Sequence, residues 1–198
     1  MYRFLIGLLN GILHICFNYK VEGKENLPNG GSYIIACNHR TFWDPVMIAC
    51  CVKRRCSFMA KSEFFKGGLF TKFITYAGAF PVERGAGDLG ALQKAVDEIK
   101  NNKPFVIFPE GTRSKTGKLG RGKSGVAVIA GKANADLVPV AVCYDGKLQF
   151  RKKVTLKIGK VIPFEDFRIQ ENDRHSIRAS VKRIMTEIAS LLGEEYGG

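Results

Sequence analysis

The sequence predicts a single α/β domain, a mixed β-sheet flanked by helices on both faces, preceded by an N-terminal amphipathic helix that associates with membrane. Three observations carry this. The chain has 198 residues, 45% apolar and 25% charged, which suits one domain with a substantial core. Short apolar runs alternate with segments of helical period, the pattern of a sheet covered on both sides. Polar motifs follow several of those runs, and sites in such sheets gather in loops beyond strand ends. Residues 1–19 are assigned to the helix and 20–198 to the domain.

The chain opens with Arg3 and an apolar run from Phe4 to Phe17, with no small-x-small cleavage site after it. Fourteen helical residues reach only roughly 21 Å, short of a hydrocarbon core of about 30 Å. Arg3, Gly7, Asn10, Gly11, His14 and Asn18 form one polar or small stripe. Phe4, Leu5, Leu8, Leu9, Ile12, Ile15 and Tyr19 cover the rest. A helix so apolar suits a membrane interface, and its alternative is a groove of its own domain.

Tyr33 to Cys37 reads as a buried strand, and Asp44-Pro45 opens a helix with Asp as N-cap. Ser57 to Ala60 is a second strand. A Gly67-Gly68 break, a helix through Tyr76 and a strand over Ala79 to Val82 follow. Asp88 caps a helix with Leu89, Leu92, Val96 and Ile99 on one face. Phe105 to Phe108 is a buried strand, and a basic, glycine-rich loop runs from Gly111 to Lys123. A helix over Ser124 to Ala133 leads into the strand Leu137 to Cys143. Val154 to Ile158 alternates as an outer strand would, and Ile177, Val181, Ile184, Ile188 and Leu191 mark a C-terminal helix.

A formal charge of +13, from 31 Lys and Arg against 18 acids, points to anionic partners. The clusters Lys53-Arg54-Arg55 and Arg151-Lys152-Lys153 lack interleaved aromatics, so nucleic acid is not the expected partner, and an anionic membrane surface is. The six cysteines form no Cys-x-x-Cys pair and only three histidines accompany them, so no metal site is expected and reduced thiols are.

His39 follows a strand and Asp44 starts the next helix, so a turn between them can fold the carboxylate back onto the imidazole. A carboxylate on one ring nitrogen fixes the tautomer and prepares the other nitrogen as a base. The competing reading is that Asp before Pro merely caps the helix, and one carboxylate can do both. Phe80-Pro81-Val82-Glu83-Arg84-Gly85 ends one strand with a cation. Phe108-Pro109-Glu110-Gly111-Thr112-Arg113-Ser114 ends another with an acid, a hydroxyl and a cation. Arginine's planar fork suits phosphate oxygens, although each loop alone reads as a solvated turn.

Together with Val138-Pro139-Val140-Ala141, these ordered blocks resemble the glycerolipid acyltransferases of the 1-acylglycerol-3-phosphate acyltransferase family over roughly residues 20 to 165. The resemblance implies that His39 deprotonates the acceptor hydroxyl and Asp44 orients it. It implies that Arg84 binds the acceptor phosphate, and that Glu110, Gly111, Thr112 and Arg113 shape the glycerol phosphate site. Pro139 would be structural or line the acyl path, and Lys61 and Lys123 would be lesser phosphate contacts. The tail Gly117 to Gly125 departs from the family at Arg121-Gly122, which bears on the acyl donor.

The implied reaction is direct attack by the sn-2 hydroxyl of lysophosphatidic acid on an acyl thioester, from acyl-CoA or acyl carrier protein (acyl-ACP), without an acyl-enzyme or bound cofactor. It would take place on the cytoplasmic face of the cell membrane, with the enzyme monotopic or peripheral. Glycerol 3-phosphate or another lysophospholipid is the alternative acceptor. A thiol mechanism through Cys37, two residues before His39, is the rival chemistry. A non-catalytic module binding anionic lipid is the rival class.

Overall fold

In the computed structural model, residues 2–83, 88–167, 169 and 173–197 are described. Seven strands make one sheet in the order β1-β7-β6-β2-β5-β3-β4. These are β1 (Asn18–Glu22), β2 (Ile34–Cys37), β3 (Ser57–Lys61), β4 (Ala79–Val82), β5 (Phe105–Ile107), β6 (Leu137–Cys143) and β7 (Lys153–Ile158). β2 to β6 run parallel to one another, β7 is antiparallel to β6, and β1 is parallel to β7. The carboxyl ends of β6, β2, β5, β3 and β4 therefore share one edge. Each of the four sequence blocks lies on or just beyond one of these strands.

Central strands of a parallel sheet are buried on both faces and need apolar side chains in both directions. β2 does this with Ile34, Ile35, Ala36 and Cys37, none with measurable exposure. One face meets α1 (Tyr2–Cys16) and α2 (Asp44–Val52), with Tyr33, Ile35, Met47 and Val140 in that layer. The other meets α4 (Leu89–Lys100), α5 (Gly125–Ala133) and α6 (Arg174–Leu192), with Phe105, Val126, Leu137 and Ile184. α3 (Gly68–Ala77) lies between β3 and β4 in sequence.

α1 divides its circumference. Ile6 and Leu13 are buried in the first layer, whereas Phe4, Leu8 and Ile15 are 78%, 56% and 65% exposed. Both uses considered for this segment, packing into the domain and presenting an apolar face outward, are served by different sides of one helix.

Three expectations need correction. Asn18 and Tyr19, counted with the N-terminal helix, belong instead to β1, because the helix ends at Cys16 and the chain then pairs with β7. Val154 to Ile158 is not an outer strand, because β1 pairs alongside it from Asn18↔Lys153 to Glu22↔Lys157 and becomes the edge. Hence Val154, Thr155 and Leu156 are all buried. Asp44 is not the N-cap of α2: Trp43 holds that position without a side-chain cap bond, and the Asp44 carboxylate turns backward onto residues 39–41. Pro139 sits inside β6, where a missing N–H would ordinarily break the ladder. It falls between the last β7 pair, Val140↔Ile158, and the isolated bridge Leu137↔Ile162, while its carbonyl accepts from Gly159 N–H at 2.8 Å.

Glu98 ties α4 to the start of β3. Its carboxylate accepts from Ser57 Oγ at 2.7 Å, and pairs with Lys103 Nζ at 2.6 Å and Lys94 Nζ at 3.1 Å. Burial opposes ionisation, but these bonds prevail and hold the carboxyl at about 2. A depressed folded pKa stabilises above the unfolded value and is lost as pH falls through the folded one. The parent should therefore lose stability between about pH 5 and 2, partly through this group. Glu98→Gln should cost on the order of 1–3 kcal/mol at neutral pH and show a shallower acid decline, read by denaturant melts across that range.

Candidate active site

The turn after β2 begins with a side chain that imitates backbone. Asn38 accepts from Val142 N–H through Oδ1 at 2.8 Å and donates through Nδ2 to Val142 carbonyl at 3.2 Å. An amide side chain can satisfy both groups of a neighbouring peptide, so the sheet is prolonged one residue past the end of β2. That anchors the start of the segment carrying His39.

Asp44 organises the rest. Oδ2 receives Arg40 N–H at 2.7 Å, Thr41 N–H at 2.8 Å and His39 Nδ1 at 2.8 Å, while Oδ1 accepts from Thr41 Oγ1 at 2.8 Å. Asp44 is fully buried and His39 is 8% exposed. A buried carboxylate is tolerated only when its oxygens are satisfied. Among the described residues, no fully buried side-chain nitrogen or oxygen lacks a partner. A carboxylate offers no proton, so the imidazole donates through Nδ1 and keeps Nε2 as the basic nitrogen. The ring also stacks on Phe108, centroids 4.0 Å apart and planes 20° from parallel, which restricts its rotation.

Glu110 fastens the loop after β5 to this turn. Oε1 accepts from the His39 N–H and Oε2 from the Gly120 N–H, each at 2.8 Å, and Ser114 N–H donates to the His39 carbonyl at 2.7 Å. Both peptide groups of His39 are thus held by the third block. Burial pushes the Glu110 carboxyl up, and the two N–H bonds offset this only in part. The engagement of both oxygens with backbone makes Glu110 a brace rather than an open ligand.

The other marked residues separate into groups. Gly111 has φ +70°, and a side chain there would strike the Lys123 ammonium, so Lys123 lies across this turn. Thr112 and Arg113 are exposed and border an open basin of about 270 Å³ that Glu110, Lys115, Lys118 and Arg121 also line. Lys61, at the end of β3, pairs with Glu63 at 2.5 Å. Pro139 is buried within β6. Arg84 lies outside the described residues. Gly122, a departure noted in the sequence, has a direct reason: a Cβ there would lie 2.6 Å from Met185 and 2.8 Å from Val181 of α6.

Arg40 is a residue that the sequence reading passed over. Its guanidinium donates to the Tyr144 and Gly146 carbonyls at 2.5 and 3.1 Å and lies 3.8 Å from the Tyr144 ring centroid. It fastens the turn to the loop after β6, and its position inside the first block was the available signal. Cys37 is fully buried, its thiol pushed well up by burial and then by the nearby Asp44 charge. A neutral, enclosed thiol does not act as a nucleophile. Among the described residues, no three His, Cys, Asp or Glu side chains converge as a metal site.

Gln in place of Glu110 has one acceptor oxygen and turns an amide N–H₂ toward the other N–H donor. Glu110→Gln should therefore lower unfolding free energy by about 1–3 kcal/mol, whereas exposed Thr112→Ala should stay within about 0.5 kcal/mol, as read from denaturant midpoints. Equal midpoints for the two variants would refute the bracing role.

An acyltransferase family model matches residues 18–143. The chain is 31% identical to 1-acyl-sn-glycerol-3-phosphate acyltransferase of Streptococcus pneumoniae, over 96% of this chain and 72% of that protein. It is 33% identical to the protein of the same name from Bacillus subtilis, over 84% and 85%. Its fold is similar to the crystal structure of the 1-acyl-sn-glycerophosphate (LPA) acyltransferase PlsC from Thermotoga maritima, with a TM-score of 0.72 and 26% identity over 94% of this chain and 80% of that one. The matched stretch contains the whole hydrogen-bonded assembly of His39, Asp44 and Glu110, and the chain belongs to the acyltransferase family.

Proposed function

We propose that this protein transfers a fatty acyl group from an acyl thioester to the sn-2 hydroxyl of 1-acylglycerol 3-phosphate, forming phosphatidic acid. The observation that carries the reading is the 2.8 Å contact between His39 Nδ1 and Asp44 Oδ2, beside a loop with five cations and no acid from Gly111 to Lys123. The acceptor combines an alcohol that needs a base with a phosphate that needs cations.

In this mechanism Nε2 of His39 takes the hydroxyl proton as the oxygen attacks the thioester carbonyl. Asp44 stabilises the imidazolium that forms. The tetrahedral intermediate collapses, the carbon–sulfur bond breaks, and the thiolate leaves and recovers the proton from His39. A thiolate leaves far more readily than an alkoxide, so the task is chiefly to activate and position the alcohol. Arg113 and Lys123 serve as phosphate contacts in this scheme, with Arg84 assigned by its place in the second block. Gly111 and Thr112 shape the turn that presents them. The thiol carrier is coenzyme A or acyl carrier protein.

A peripheral position on the cytoplasmic face of the membrane completes the reading. Among the described residues, no helix is long and apolar enough to cross a membrane. The exposed Phe4, Leu8 and Ile15 of α1 offer an interfacial anchor, and the +13 charge favours anionic lipid.

The test is thiol release from acyl-CoA or acyl-ACP with lysophosphatidic acid, glycerol 3-phosphate or no acceptor. The parent should release thiol only with lysophosphatidic acid and form phosphatidic acid. His39→Ala should lower turnover by about 10²–10⁴ while remaining folded. Equal release without acceptor would identify a thioesterase, and release with glycerol 3-phosphate alone would move the acceptor assignment.

A further inference from the structure

Six of the ten residues of α3 are apolar, a composition expected to be packed, yet none of the ten is buried. Leu69 is 85% exposed, and Phe70 and Phe73 are 45% and 40% exposed. Phe42 and Phe64, at 54% and 42%, join them. Phe70 is the hub, with its ring centroid 6.3 Å from Phe42 and 6.1 Å from Phe64. The result is a fixed aromatic surface, and contiguous exposed apolar patches mark sites of interaction. Leu89, at the first position of α4, is an exposed apolar side chain of a different helix, at 76%.

Its surroundings specify the occupant. Lys72 lies within α3 and exposed Lys66 just before it, while Arg55 donates to the Thr75 carbonyl of α3 and lies 5.6 Å from the Tyr76 ring centroid. An apolar surface with aromatic rings and a basic margin is complementary to an anionic bilayer, where rings settle at the boundary between headgroups and chains. Tyr76 of α3 contacts Tyr2 of α1 with centroids 6.5 Å apart, so the patch is joined to the helix whose Phe4 and Leu8 face outward. Phe42 lies in the turn between His39 and Asp44 and brings the patch to the dyad.

We propose that α3, with Phe42 and Phe64, is a second bilayer-contacting surface that seats the entrance of the His39 site against anionic lipid. α1 then anchors the protein, and α3 sets its orientation. This deepens the proposed function, and it rests on that reading for the lipid nature of the acceptor.

The full chain is tested for flotation with vesicles of phosphatidylcholine alone or mixed with phosphatidylglycerol. The pair Leu69→Lys with Phe73→Lys keeps the surface basic while removing its apolar reach. It should weaken partitioning onto mixed vesicles about tenfold or more. Leu89→Lys should bind as the parent does, and both variants should acylate a monomeric short-chain lysophosphatidate at the parental rate. If the double variant melts early, Leu69→Trp replaces it, and brominated lipid should quench its added fluorescence. Parental flotation by a folded double variant, or no such quenching, would overturn the proposal and leave the surface to a protein partner. Vesicle binding through α3 without acyl transfer by the parent would instead reject the proposed function.

Discussion

The carboxylate of Asp44 is the constraint on which the site depends. It is fully buried, and four donors reach its two oxygens: the N–H groups of Arg40 and Thr41, the Thr41 hydroxyl and the His39 ring. A negative charge in that position is stable only if the turn is folded so as to deliver those donors. The same requirement that closes the turn therefore aims the imidazole. Loss of any one donor leaves lone pairs without a partner in a place that water does not readily reach, so turn geometry and base orientation are energetically one object. Asn38 extends this coupling into the sheet by taking both peptide groups of Val142.

Around that turn the fold supplies support from strands distant in sequence. β5 lies beside β2, and Glu110 just past its end holds the His39 N–H, while Ser114 holds the carbonyl. Arg40 reaches the loop after β6 on the other side. Parallel strands deliver all three loops to one edge, which is why this topology places His39 beside a cationic loop. Glu110 belongs by sequence to the block expected to bind phosphate, yet has both oxygens on backbone, so its contribution is to fix His39 and the loop relative to each other. The cations of that loop, Arg113, Lys115, Lys118, Arg121 and Lys123, are all exposed.

Most of the fold was legible because its central strands are short apolar runs and its helices keep a 3.6-residue period, as in β6, expected and found at Leu137 to Cys143. β1 was missed because Asn-Tyr-Lys-Val-Glu buries only Tyr19, and its main-chain pairing with β7 leaves no trace in side-chain pattern. Asp44 beside Pro45 matched a helix cap, and only three-dimensional geometry shows the carboxylate turned away from the helix it begins. Spacing allowed His39 and Asp44 to be paired but left a helix cap as the competing reading, and the family resemblance favoured the pair. The Glu110 brace was legible from neither, because a contact across 71 positions follows from strand order. The exposure of α3 was equally hidden, since an apolar helix reads as core until its neighbours are known.

The central claim is that Asp44 holds His39 with Nδ1 as donor and Nε2 free to accept a proton. Nitrogen-15 NMR of histidine-labelled protein, assigned with His39→Ala, tests this most directly. For neutral His39 the account predicts a protonated Nδ1 and an unprotonated Nε2, with this tautomer preference lost in folded Asp44→Asn. A protonated Nε2 with unprotonated Nδ1 in the parent, or a preference unchanged by Asp44→Asn, would contradict it.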